Sequence, residues 1–218
     1  VSIYKDSLLE AAHSAEAQIV TLANDKFEVA FTTKGAQPYS VKINEYSSYG
    51  GGELFIFKPE MSRYDIQVYA GETINTADFN FVVAEKTDTS LAMRLPFAGG
   101  GYIEQRYSIA GGSYSVKNYL SFVGMENVIP KNVFSFDVDY FVTMPRMEKG
   151  YKSEVQYSKL DYYFNGEKKP EAIAKGRSAQ KRVDARVSWF AFQQQFFSAI
   201  MRSPQEFASA DFALNYFP

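Results

Sequence analysis

The sequence contains no cysteine, so disulfides, thiolate nucleophiles and cysteine-built metal sites are all excluded. Histidine is nearly absent too, with His13 the only one. A single imidazole cannot build a histidine metal cluster, and His13 lies in an alanine-rich lead-in outside every strand that can be placed. A Ser-His-acid set therefore cannot be assembled around it. The net charge of −2 removes the broad basic field that nucleic-acid binders use. No apolar run approaches the roughly 20 residues of a bilayer-spanning helix, and no signal-peptide pattern is present. Tryptophan occurs once, at Trp189.

Other aromatics are abundant: 16 Tyr and 19 Phe in 218 residues that are 46% hydrophobic. This content supplies a sizeable core and argues against global disorder. Flat rings pack well on a pleated surface, so the excess favours strands. Residues 1–18 form a lead-in, with Asp6-Ser7 as a helix N-cap and Leu8–Ala17 rich in helix formers. It reads as a short helix or a loose tether.

From Ile19 the chain adopts a strand rhythm. Ile19–Leu22 and Phe27–Thr33 flank the turn residues Asn24-Asp25. Tyr39–Tyr46, Leu54–Phe57, Phe79–Val83, Ser90–Leu95, Tyr102–Ile109 and Tyr114–Phe122 follow. Between them lie Gly50–Gly52, Gly99–Gly101 and Gly111-Gly112, which are hairpin and bulge glycines that lead from strand to strand and not into a phosphate-binding helix. Phe134, Phe136, Val138, Tyr140 and Val142 alternate with polar residues and give the clearest period of two. Strands at this spacing, with no long helical pattern between them, indicate an all-β antiparallel sandwich. No shift in composition divides residues 19–218 into two domains.

Residues 144–186 are more polar. Lys168, Lys169, Lys175, Arg177, Lys181, Arg182 and Arg186 give them a basic bias, which reads as solvated loop or as a surface near anionic headgroups. Asp137 and Asp139 share one face of a strand, and solvent is the natural place for that face, so they make a weak acid-base pair. No catalytic, cofactor-binding or metal-binding set emerges. The stretch around which the chain is organised is Arg186–Met201, where Trp189, Phe190, Phe192, Gln194, Phe196 and Phe197 cluster. The i, i+3, i+7 spacing of Trp189, Phe192 and Phe196 fits one face of a short helix, whereas the run from Phe196 equally suits a buried strand. Either way the segment reads as a plug for the β-core or as an interaction element.

Three stretches resemble the large periplasmic domain of the YidC family of membrane protein insertases: Thr21–Ala36, Tyr102–Val116 and Val187–Ile200. The last is the most specific, because its Trp, Gln and paired Phe residues stand in the family's order. The resemblance implies a β-supersandwich of the galactose mutarotase-like kind with a short helix near its C-terminal end. It also implies a non-catalytic role, without cofactors, at the periplasmic face of the inner membrane. The partners implied are Sec translocon components and nascent membrane proteins, with Trp189–Phe197 as the coupling segment. Residues 1–18 would be the tether, and the family's remaining C-terminal strands would lie beyond Phe217-Pro218, leaving an edge strand open. The alternative is a carbohydrate-binding or sugar-modifying domain on the same sandwich, since tyrosine faces stack on sugar rings.

Overall fold

The computed structural model describes residues 3–173 and 177–215. The expectations that rest on Lys175 and Phe217-Pro218 lie outside those residues. The chain divides into two compact units between Pro145 and Arg146, a division that composition does not announce.

The N-terminal unit begins with helix α1, Ser7–Ser14, capped by Asp6, whose Oδ1 accepts from the Leu8 and Leu9 amides at 2.8 and 3.2 Å. The strands β1 (Ile19–Ala23), β2 (Phe27–Thr32), β3 (Gln37–Ser47) and β4 (Glu53–Phe57) then form one antiparallel sheet in chain order. Next come β5 (Ser62–Tyr69), β6 (Thr73–Asn75), β7 (Val82–Lys86), β8 (Ser90–Pro96), β9 (Tyr102–Ile109), β10 (Val116–Val123) and β11 (Asp137–Val142). Of these, β7 to β10 make a second meander, while β5 lies between β6 and β11. The two four-stranded sheets meet through Phe31 and Tyr107, whose ring centroids are 4.4 Å apart, and the Tyr107 hydroxyl donates to the Ala36 carbonyl at 2.8 Å. The antiparallel sandwich expected from the strand rhythm is the fold observed.

Local chemistry fixes the turns. Asn24 Oδ1 accepts from the Lys26 and Phe27 amides, closing the first hairpin, and its Nδ2 donates to the Ala110 and Ser113 carbonyls of a second turn. One side chain thus holds two hairpin tips together. At Gly101 the backbone is left-handed, with φ +77°, and a Cβ would stand 2.3 Å from the Val123 carbonyl oxygen. Only glycine lets β9 start there.

The lead-in is a helix, as its residues suggest, but it is not loose. Leu9 is buried, the Asn80 amide donates to Ala12 O, and Asn80 Nδ2 donates to Ala15 O at 2.7 Å. Asp6 Oδ2 also accepts from the Ala98 amide at 2.8 Å. Polar residues hold this helix where its alanine-rich face offers little apolar area. The Phe134–Val142 alternation is realised only from Asp137. Phe134 is 90% exposed and Phe136 is 42% exposed, although the pattern points both inward.

The C-terminal unit contains helix α2, Tyr151–Tyr157, followed by β12 (Lys159–Phe164), β13 (Glu171–Ile173), β14 (Ala179–Val183), β15 (Val187–Gln193), β16 (Ser198–Phe207) and β17 (Ala210–Leu214). Its larger sheet runs β13-β12-β15-β16, and β14 pairs with β17. Leu160, Tyr162, Ile173, Val183, Val187 and Phe212 form its core, with Phe190, Phe192 and Phe207 packed against them. Four of these six core residues come from the stretch that polarity marks as loop. Its strands are short, and each contributes one or two inward side chains between exposed charges, too few to register as periodicity.

Candidate interaction surface

The aromatic segment at Val187–Met201 is a β-hairpin. The helical alternative is overturned: β15 is hydrogen-bonded to β12 on one side and β16 on the other. Aromatic residues occupy so many positions that both a period of 3.6 and a period of 2 are satisfied, and pairing on both edges decides between them. Trp189 and Phe192 consequently face opposite sides of the sheet. The short helix of this unit is α2 instead.

The two faces of β15 differ. Phe190 and Phe192 point to the core, where Phe190 contacts Phe192, Phe207 and Phe212 with centroid separations of 5.6 to 5.8 Å. On the outer face Trp189 stacks on Tyr163, nearly parallel at 14° with centroids 6.2 Å apart. Trp189 lies opposite Arg202, and Ala191 opposite Ile200. The hairpin closes through the Gln194 amide, which donates to Phe197 O at 2.8 Å. Gln194 is buried and Phe197 half-buried, while Phe196 is 68% exposed and Ile200 is 67% exposed. The run from Phe196 is therefore not the buried strand that its apolar content suggests. Of the six residues singled out from sequence, the fold brings Phe190 and Phe192 into the core. It leaves Trp189 half-buried on the opposite face of the strand and Phe196 exposed.

Elsewhere, polar side chains are tied into the scaffold. Asp65 is fully buried and accepts from Ala77 N at 2.9 Å, Thr76 Oγ1 at 3.2 Å and Arg63 Nη2 at 3.0 Å. Sequence gave no sign of it, because a lone Asp in Arg63-Tyr-Asp-Ile66 resembles any solvent-facing strand position. Asp137 and Asp139 are exposed, as expected. Glu104 receives Arg94 Nε at 2.7 Å and Arg106 Nε at 3.1 Å. Although burial opposes it, those two guanidiniums hold its carboxyl below the ordinary range. In the C-terminal unit Glu171 accepts from Lys181 Nζ at 2.7 Å and from the Tyr162 hydroxyl, and Lys181 sits over the Tyr162 ring at 5.3 Å. These bonds lower the Glu171 pKa, with Lys181 the larger influence. His13 Nδ1 is 3.0 Å from the Asp78 carbonyl, and its ring lies against Tyr4 and Phe79. Among the described residues no group of three or more His, Asp or Glu side chains is placed to hold a metal ion. Among them, too, no helix is long and apolar enough to cross a membrane.

Fold and surface together define an antiparallel all-β domain whose buried polar groups serve its architecture and whose most distinctive exposed feature is an aromatic hairpin. The sequence as a whole resembles membrane protein insertases named YidC. It is 28% identical over 205 residues to the one from Phocaeicola vulgatus, covering 94% of this chain and 33% of the relative. It is 25% identical to that of Bacteroides fragilis over 92% of this chain and 32% of the relative. For Porphyromonas gingivalis the identity is 24%, over 89% and 31%. No family model matches the chain. The resemblance first read from three stretches thus extends over about nine-tenths of the sequence, and the chain spans about a third of the length of the curated relatives it matches.

Proposed function

We propose that this chain is the large periplasmic domain of a membrane protein insertase and assists insertion by contacting polypeptides without catalysing a reaction. The observation that carries this reading is the near end-to-end similarity to YidC insertases, confined to about a third of their length. A domain of that size, with no catalytic constellation among the described residues, suits a binding and positioning role. The segment Trp189–Phe197 is its contact element toward the membrane-embedded machinery, because the hairpin exposes apolar side chains that folding leaves uncovered. Nascent membrane proteins and Sec translocon subunits are the partners this reading names, and the inner membrane is where it places the domain.

In-cell photocrosslinking in the full-length protein tests this, with the photoreactive residue at Phe196, Ile200 or Tyr119 in turn. Crosslinks to nascent membrane proteins or translocon subunits are expected from at least one of the three positions. Saturable sugar binding by the domain, with no polypeptide crosslink from any of the three positions, would replace the proposal with the carbohydrate reading.

A further inference from the structure

We infer that the β15–β16 hairpin is a bilayer-contacting element that docks on anionic lipid through Phe196, Ile200 and Arg202. The inference concerns the same segment as the insertase reading and rests on it only for the presence of a bilayer nearby.

The argument starts from charge. From Val187 to Met201 no side chain carries a charge, and Arg186 and Arg202 bracket the run. Both arginines are exposed, and among the described residues neither is ion-paired. An uncharged run through the hairpin tip, with two exposed arginines at its ends and the one carboxylate of β16, Glu206, lying beyond Arg202 and bonded by Ser188 Oγ at 2.9 Å, is complementary to an apolar layer beneath an anionic one.

The register then places these groups. Arg202 and Ile200 are two residues apart on the outer face of β16, about 7 Å along the strand. Phe196 lies nearer the tip still. With the hairpin laid obliquely on a bilayer, Phe196 and Ile200 pass the headgroups while Arg202 stays among the phosphates. Trp189, opposite Arg202, stacks its ring on Tyr163, and both are residue types that favour the interface. Asp161 is a carboxylate on this face, and Lys159 Nζ offsets its charge at 2.8 Å.

A polypeptide partner is the competing occupant. It would account for the exposed Phe and Ile, but it gives no reason for a charge-free run bracketed by unpaired arginines.

Trp189 is the chain's only tryptophan, so its emission reports on this face alone. The 218-residue chain is mixed with vesicles of phosphatidylglycerol and phosphatidylethanolamine, or of phosphatidylcholine alone, and emission and co-sedimentation are measured. A blue shift with the anionic vesicles is expected, weakened by salt and small or absent with phosphatidylcholine. Phe196→Ser with Ile200→Ser should lower vesicle affinity at least about tenfold, as loss of two buried apolar side chains requires. Because both residues are exposed, the fold should survive, which circular dichroism checks. Arg202→Glu should abolish the preference for anionic lipid. Failure to bind either vesicle, or binding unchanged in the double variant, would overturn the inference. So would a Trp189 shift produced by a soluble unfolded apolar polypeptide and not by vesicles, which would make the face a polypeptide site. None of these failures touches the crosslinking test of the insertase reading.

Discussion

The two units are held together by different chemistry. In the N-terminal unit, polar side chains reach between elements: buried Asp65 fixes the turn at Thr76-Ala77, buried Asn80 holds α1, and half-buried Asn24 ties two hairpins. In the C-terminal unit the core is apolar, Leu160, Tyr162, Ile173, Val183, Val187 and Phe212, with the half-buried rings of Phe190, Phe192 and Phe207 packed against it. A buried carboxylate with three donors tolerates one geometry, because any slip leaves an unsatisfied group in a low-dielectric interior. Rings packed at centroid distances of 5 to 6 Å tolerate several. The first kind of interior specifies a unique arrangement. The second supplies area, while Phe196 and Ile200 of its hairpin stay exposed.

The largest test of this contrast is Asp65→Ala. It removes the acceptor for three donors, two of them tucked into the unit, and should lower stability by about 3–4 kcal/mol. Chemical denaturation followed by circular dichroism measures it. A loss under about 1 kcal/mol would mean that the N-terminal unit does not depend on this carboxylate. The counterpart in the other unit is a pair of neighbouring truncations on β15. Phe190→Ala, which opens the core, should cost about 2–3 kcal/mol, whereas Trp189→Ala, on the outer face, should cost about 1 kcal/mol. Equal losses would erase the distinction between the two faces of that strand.

Much of the architecture was legible because local pattern and final environment agree. The alternation in Phe27–Phe31 puts buried residues on one face in the structure, and Asn24-Asp25 turns the chain where those residue types should. Legibility failed where a residue's environment is set by distant chain. Asp65 becomes buried only because the turn at Thr76–Asp78 folds over it. The period of 2 was masked at Trp189–Phe196 because its aromatic positions fit both periods and Gln193–Gln195 interrupt the alternation, so helix and strand fit equally until neighbours are assigned. Exposure of Phe196 was unreadable for a related reason: a tip residue and a core residue have the same sequence neighbours. The division of the hairpin into a core side and a surface side is a tertiary fact.

A pH series sharpens the comparison from another side. Burial pushes the hydroxyls of Tyr64 and Tyr140 up to about 12, and the two rings meet edge to face at 6.1 Å within the N-terminal unit. A raised folded-state pKa means that the unfolded chain ionises first. The stabilisation is complete below about pH 10, the ordinary tyrosine value, and is lost as pH climbs toward about 12. Glu171 in the C-terminal unit behaves in the opposite sense. Its lowered pKa gives stability above the ordinary glutamate range that disappears as pH falls through the folded value. Thermal unfolding across pH should therefore show an alkaline decline that Tyr64→Phe with Tyr140→Phe reduces and an acid decline that Glu171→Gln reduces. An alkaline decline unchanged by the tyrosine substitutions would deny them that role.

The smallest expected effect concerns His13, which the sequence places only in an alanine-rich lead-in. The ring bonds the Asp78 carbonyl at 3.0 Å and lies 5.3 Å from the Tyr4 ring. His13→Ala should therefore destabilise by about 1 kcal/mol, the usual net worth of one hydrogen bond. Hydrogen exchange at the amides of α1, including Ala12, distinguishes the two views. If the helix is docked by its polar contacts, as Asn80 and Asp6 indicate, its amides are protected and lose part of that protection in the variant. A loose tether would exchange freely in both proteins and would return the lead-in to the status of a linker.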